Sequence, residues 1–467
     1  GSGPMRQGTP TERAAFGRRA RATVPRSRHG DWKPGPDRTD PLEILALQAT
    51  TRIPDLVPIR YGRMAASAFA FFRGAAAVMA ADLASEDRTG LEVQLCGDAH
   101  LSNFGGFASP ERDLIFDVND FDETLPGPFE WDLKRLAASL EIAARGRQFD
   151  EATRYSIVAQ GTRSYRTATR QFAGMRDLEI WYSRMDAAAI TARWGTEVGS
   201  QLAHNLERRV TKAHSKDHLA ALAKLTTEVD GRLTFVNNPP LMVPAEDLFT
   251  DIYSKQTVGN LADALSQYRQ SLTADRQRLL EKYEFVDLAR KVVGVGSVGS
   301  RCWVALFTGR DHEDPLFLQV KEAEAAVGEP FLGVSEYPQH GQRVVEGQRL
   351  MQGASDIFLG WDQFLGEDGI TRDFYLRQLW DWKVSADVDQ MAPEVLGIYA
   401  QMCGWTLARA HARSGDAIAM GAYLGAGDRF DKAMCEFAAS YADQNERDFE
   451  ALTRAIADGT IQAVSGV

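Results

Sequence analysis

Cysteine is scarce: the 467-residue chain has four, Cys96, Cys302, Cys403 and Cys435, far apart and without a C-x-x-C pair. That spacing argues against a disulfide framework or a thiolate zinc site, and free thiols suit a reducing, cytoplasmic setting. No apolar run is long enough to span a bilayer, so no membrane partner is expected. Positive charge is not in excess either. The formal net charge is −11, which removes any general attraction for nucleic acid or anionic lipid. What is present is a globular composition, 44% hydrophobic and 25% charged, in a chain long enough for two or three domains. Residues 1–4 read as a cleavage scar before Met5, and residues 1–40 as a flexible basic arm.

The informative stretch is residues 96–123. Asp98 precedes Asn103, and an acidic cluster, Asp120-Phe121-Asp122, ends an apolar run. Phosphoryl transfer from a nucleotide needs this inventory. One carboxylate accepts or orients the proton of the attacking hydroxyl, while an Asn and an Asp hold the divalent metal that bridges the phosphates. Hard oxygen donors suit Mg²⁺. Short strands expected at 91–95 and 114–118 deliver both clusters to loops. Taken singly, Gly, Asp and Asn are turn residues or helix caps; their joint spacing carries the reading.

Cys96-Gly97-Asp98-Ala99-His100-Leu101-Ser102-Asn103-Phe104 resembles the catalytic loop of aminoglycoside-phosphotransferase-type kinases, written H-G-D-x-H-x-x-N, with Cys96 where that family usually has His. Asp120-Phe121-Asp122 is similar to the same family's metal-binding I-D-F/W-x-D segment, and Trp131-Asp132-Leu133 to the structural Asp that follows it. The wider pattern, from Arg60-Tyr61-Gly62-Arg63-Met64 through Phe69–Gly74 to the acidic cluster, also resembles an uncharacterised bacterial family, which implies no substrate. The kinase resemblance implies Asp98 as the catalytic residue, Asn103, Asp120 and Asp122 as metal ligands, and ATP with Mg²⁺ as cofactors.

A second signal lies at residues 292–300, where Gly294, Gly296 and Gly299 form G-x-G-x-x-G around Ser297. A dinucleotide fold needs a helix directly after the last glycine. Residues 301–307 read instead as a strand, followed by a polar turn and a strand over 316–320 ending in Lys321. Strand, glycine loop, strand, turn, strand, Lys is the layout of a kinase phosphate-covering hairpin. The glycines let the backbone approach the phosphates, and the Lys brings charge to the α- and β-phosphates. Glu346, on a helix expected over 342–352, is the candidate partner of Lys321, with Glu322 and Glu324 as rivals. By the resemblance, residues 373–382 form a strand pair and a hinge against the adenine. Two triplets imitate the catalytic one, His29-Gly30-Asp31 and Ser414-Gly415-Asp416, but Pro36 and Gly421 stand where the Asn belongs. Arg60, Arg63 and Arg73 match phosphate geometry, although solvated or salt-bridged arginines are commoner near helix ends.

The glycine loop follows the catalytic loop by about two hundred residues, the reverse of ordinary kinase order. The expected architecture is therefore α+β: a protein-kinase-like two-lobe fold, circularly permuted, which costs little when chain termini lie close together at the surface. A large helical lobe would span 41–283, a small antiparallel lobe 284–382, and a helical segment 383–467 would complete the large lobe. The function implied is transfer of the γ-phosphate of ATP to a hydroxyl of a small molecule, with a protein acceptor as a further option. AMP transfer and non-catalytic nucleotide binding are the alternatives.

Overall fold

The computed structural model describes residues 8–194, 218–248, 265–366, 368–379 and 384–467. Its class is α+β with antiparallel sheets, as expected. The largest sheet has six strands in the order Gly360–Leu365, Thr371–Gln378, Pro315–Ala323, Cys302–Thr308, Glu284–Lys291 and Met242–Pro244, all paired antiparallel. Every residue of Pro315–Ala323 is buried. Alternation sends Leu316, Leu318 and Val320 against Tyr268 and Leu272, and Phe317 against Leu225 and Phe235 on the opposite face. The helix His340–Met351 packs against the same sheet.

The sheet does not begin at 284. Met242–Pro244, in the extended stretch that interrupts the helical pattern, adds an edge strand, and Ser266–Ser271 is tied in by Tyr268 N to Asp362 Oδ2 at 3.0 Å. Three residues of paired backbone suffice for an edge strand, too few for a periodicity to reveal. At the other boundary, residues 373–378 belong to one strand, Thr371–Gln378, that makes a hairpin with the preceding Gly360–Leu365 and also pairs with Pro315–Ala323, so no strand pair lies within them, and residues 380–383 of the expected hinge lie outside the described residues.

The main core is helical. Phe129–Gly146, Glu151–Phe172, Pro393–Ser414 and Arg429–Ala457 contribute Leu140, Val158, Tyr165, Leu407 and Phe437 to one cluster. Segments far apart in sequence, before and after the six-stranded sheet, therefore share a core. The glycine at 404 lets two helices cross closely, since a Cβ there would lie 2.2 Å from the Gly161 carbonyl oxygen. On this core sit a four-stranded sheet, containing Phe104–Ala108 and Leu114–Val118, and the pair Glu92–Leu95 with Leu125–Pro128.

The basic segment is not a flexible arm where it is described. Pro10–Thr23 is a helix started by a Thr9/Glu12 capping box and laid against Ala417–Leu424 so closely that a Cβ on Gly17 would lie 1.9 Å from Ala419 O. Three of its arginines have specific partners. Arg21 Nε and Arg26 Nη1 each donate to a terminal carbonyl of that neighbour, Tyr423 O and Leu424 O, at 2.9 Å, and Arg13 pairs with Asp416 at 2.8 Å. The two imitation triplets prove structural. His29 is buried against Tyr423 Oη at 2.7 Å, and Asp416 caps the helix Ala417–Leu424. Among the described residues no helix is long and apolar enough to cross a membrane.

Candidate functional site

The acid loop is fixed from below. Gly97 has φ +83°, and a Cβ there would lie 2.1 Å from Glu123 O, so the turn requires glycine. Asp132, on the first turn of Phe129–Gly146, accepts from Cys96 N at 2.7 Å and Gly97 N at 2.9 Å. His411 Nε2 meets Asp132 Oδ2 at 2.8 Å, and Tyr165 Oη meets His411 Nδ1 at 2.7 Å. All three side chains are buried. Asn103 is the cross-tie: its Nδ2 donates to Asp98 O at 2.9 Å and to Asp120 O at 3.0 Å. Asp98 is held by Arg135, whose Nε donates to Oδ1 at 2.9 Å while its Nη2 donates to Phe72 O at 2.7 Å. Its other oxygen, Oδ2, has His100 Nε2 at 3.6 Å. Burial pushes the His100 imidazole down to about 4, so it is neutral at pH 7.

The sheet approaches from above. Strands Glu284–Lys291 and Cys302–Thr308 flank the glycine loop as an antiparallel pair, with one short 3₁₀ turn, Val295–Ser297, inside it. No helix follows, so the dinucleotide reading is excluded for this loop. Lys321 lies on the inner strand opposite Cys302 on one side and Tyr375 on the other. Its ammonium is buried, and reaches Asp120 Oδ2 at 3.4 Å and, more tightly, Asp122 Oδ2. Burial opposes that charge, but Asp120 and Asp122 outweigh it and hold the Lys321 pKa well above the ordinary value. Tyr375 Oη donates to Asp122 Oδ1 at 2.7 Å.

A cavity of about 430 Å³ lies between these parts. Of the sequence-predicted residues it brings together Asp98, Asn103, Asp120, Asp122, Gly294, Gly296, Ser297 and Lys321. Ser297 Oγ stands 3.5 Å from Asp122 Oδ2. A Cβ at Gly294 would meet nothing within 4 Å, so the glycine there leaves open space toward the cavity.

Two predicted residues fall outside it. Gly299 has φ +91° and faces the side chain of Arg52 rather than the cavity. Glu346 does not partner Lys321; it pairs with Arg349 at 3.1 Å, one turn along its own helix. The rivals are no nearer the role. Glu322 faces Arg301 and Arg372, at 3.4 and 3.5 Å, and Glu324 contributes a backbone carbonyl to Arg343. Arg343 takes the place expected of Glu346 as the tie between helix and site. It donates to the carbonyls of Thr124 and Asp122, at 2.7 and 2.8 Å, and so orders the acid loop through its backbone. Arg409, His411 and Arg413 also brace from outside, on Asp117, Asp132 and Gln352 O.

Sequence reasoning missed several residues of the cavity: Arg52, Gln319, Arg377 and Glu123. Arg377 Nε donates to Gln319 Oε1, and its Nη1 to Asn119 O, both at 3.0 Å. Burial raises the Glu123 carboxyl to about 7, against a hydrogen bond from Val327 N. Glu123 adjoins the acidic cluster and was legible as part of it; the arginines carry no local signal. Arg60 and Arg73, noted from the sequence only as possible phosphate contacts, both line the cavity, whereas Arg63 donates to Val293 O at 2.6 Å from behind the glycine loop.

The family model for "Uncharacterized protein conserved in bacteria (DUF2252)" matches residues 52–455. Searches of curated proteins and of solved structures each return no match. The chain belongs to the DUF2252 family.

Proposed function

We propose that this DUF2252 member is an ATP-dependent phosphotransferase, built on a protein-kinase-like scaffold whose chain order is circularly permuted. The observation that carries the reading is the convergence, in one cavity, of Asp98, Asn103, Asp120 and Asp122 from loops near residue 100 with the glycine loop and Lys321 from the six-stranded sheet. That two sequence signals about two hundred residues apart meet in one cavity supports reading both as parts of one site. The shared core of the flanking helices supports the permutation, since it joins the parts of the helical body that the sheet interrupts.

Asp98 would orient the acceptor hydroxyl and take its proton on Oδ2, with Oδ1 pinned by Arg135. The hydroxyl oxygen forms the new bond to the γ-phosphorus as the bond from that phosphorus to the β-γ bridging oxygen breaks, and ADP leaves. Neutral His100 adds no competing proton to Asp98. Lys321, moving from Asp122 to the nucleotide, would neutralise charge on the α- and β-phosphates, and Gly294 and Gly296 would admit the phosphates under the loop backbone.

Among the described residues no group of three or more His, Cys, Asp or Glu side chains could hold a metal ion. The donor set here still fits Mg²⁺, which takes one or two carboxylates and completes its shell with phosphate oxygens and water. Asp120 and Asp122 already hold a cationic group, the Lys321 ammonium, and the Asn103 carbonyl oxygen is free of its Nδ2 duties on Asp98 and Asp120. These three would hold the ion, which when bound would neutralise phosphate charge.

The test is transfer of label from [γ-³²P]ATP to a panel of hydroxyl compounds. Asp98→Asn should lower transfer by about 10²- to 10⁴-fold with Mg·ATP binding retained. Full transfer by Asp98→Asn would remove Asp98 from the chemistry, and label from an [α-³²P]ATP control that stays on ADP rather than passing to the acceptor excludes AMP transfer.

A further inference from the structure

Several arginines of this protein that are buried or nearly so face a carboxylate. Arg38 meets Asp82 at 2.6 Å, Arg166 meets Asp431 at 2.8 Å and Arg409 meets Asp117 at 2.9 Å. Arg343, Arg377 and Arg413 are buried on carbonyls instead, and Arg52, Arg60 and Arg73 also stand without a carboxylate. Among the described residues none of Arg52, Arg60 and Arg73 has a carboxylate at ion-pair distance, and Arg52 Nη1 and Nη2 donate to Val298 O and Gly296 O. Arg60 is 1% exposed, uses only Nη2, toward Gln48 Oε1 at 2.9 Å and Gly74 O at 3.1 Å, and leaves Nε and Nη1 without partners. The Nε atoms of Arg52 and Arg73 are likewise buried without partners. Burial, with Arg52 adding repulsion, lowers the Arg60 guanidinium to about 9. A buried charge without a paired counter-charge is costly; Arg60 is fully buried, and the partly buried Arg52 and Arg73 share one wall with it.

That wall belongs to the cavity already described. Arg73 is the member nearest the chemistry in electrostatic terms, because after burial Asp98 acts most strongly on it. Its carbonyl oxygen also lies 3.5 Å from where a Cβ on Gly296 would be. Guanidinium forks match the oxygens of carboxylates and phosphates.

We propose that the phosphoryl acceptor is an anionic hydroxyl compound, a hydroxy acid or a phosphate ester, whose oxyanion docks on Arg52, Arg60 and Arg73 while its hydroxyl meets Asp98. Polycationic aminoglycosides are thereby disfavoured. The term "acceptor" rests on the phosphotransferase reading; the anion site does not.

The test is a thermal-melt series at fixed ionic strength, with inorganic phosphate as the probe, in the presence and absence of saturating Mg·AMP-PNP. Phosphate should raise Tm further on top of Mg·AMP-PNP, with an apparent affinity about tenfold weaker in Arg73→Gln. Among the described residues the Arg73 side chain makes no hydrogen bond, only a contact over the Phe69 ring, and Arg60→Lys, which keeps the charge, guards against a folding defect in Arg60→Gln. If phosphate stabilises the free protein but adds nothing once Mg·AMP-PNP is bound, the arginines hold the nucleotide's own phosphates. The acceptor proposal then fails while the phosphotransferase reading stands. Stabilisation by phosphate, lost in Arg73→Gln, with no effect of Mg·AMP-PNP would keep the anion site and overturn the phosphotransferase reading. No response to phosphate in either condition overturns the proposal.

Discussion

The acid loop, residues 96–123, and the glycine loop, residues 292–301, face each other across one cavity but are held by different means. The acid loop is held by side chains of the helical core: Asp132 under its backbone, His411 and Tyr165 under Asp132, and Asn103 across both of its acidic segments. The glycine loop is held by its own carbonyls. Arg52 Nη2 donates to Gly296 O at 3.0 Å, Arg63 Nη1 to Val293 O at 2.6 Å, and Ile53 N to Gly299 O at 2.8 Å. The first arrangement fixes the positions of named side chains, as a reaction centre needs. The second fixes a backbone path while leaving the glycine positions open to a ligand.

Removing the deepest support should have the largest effect. Asp132→Ala leaves three buried donors, Cys96 N, Gly97 N and His411 Nε2, without their acceptor. Each unsatisfied donor costs about 1–3 kcal/mol, so urea denaturation should report a loss of several kcal/mol, with transfer lost as well. A stable, active Asp132→Ala would mean that the acid loop is held by something else.

Loosening the other loop should separate binding from stability. Arg63→Gln removes one tether on the glycine loop, and the Kd for Mg·AMP-PNP should rise about tenfold, since a charged hydrogen bond contributes about 1.5–3 kcal/mol. The urea midpoint should change far less than in Asp132→Ala. Equal losses of stability in the two variants would erase the contrast between the loops.

The smallest effect sharpens the assignment of Lys321. A Lys–Glu pair of the ordinary kinase kind would make Glu346→Gln a severe binding defect. Glu346 instead makes a half-exposed pair with Arg349, of a type contributing about 0.2–1 kcal/mol, so isothermal titration should find nucleotide affinity nearly unchanged. A large loss would restore Glu346 to the site.

The same contrast explains what was legible in the sequence. Asp98, Asn103, Asp120, Asp122 and Asp132 lie within a short stretch of chain, on loops bounded by strands and a helix whose periodicities are plain, and their spacing survives folding. Lys321 was legible because a strand, a glycine loop and two further strands are consecutive. The tethers were not, because Arg52 and Arg63 reach the glycine loop from more than two hundred residues away, and no local pattern encodes a contact with a backbone carbonyl. Glu346 was misread for a related reason: helix position alone does not say which face meets the sheet, and it is Arg343 that points to the acid loop. Residues 1–40 were read as a flexible arm, since the low hydrophobicity of their Arg-rich stretch gives no buried stripe. Its order comes from Gly17 and Ala20 at a close helix crossing and from guanidinium groups on carbonyls.

The central claim is that the two loops together make a Mg²⁺-dependent nucleotide site. The direct measurement is isothermal titration of AMP-PNP, with and without Mg²⁺, into the wild-type protein and Asp120→Asn. The account predicts binding that Mg²⁺ strengthens in the wild type, and loss of that Mg²⁺-dependent part in Asp120→Asn. No binding under either condition, or equal Mg²⁺ dependence in both proteins, would contradict it.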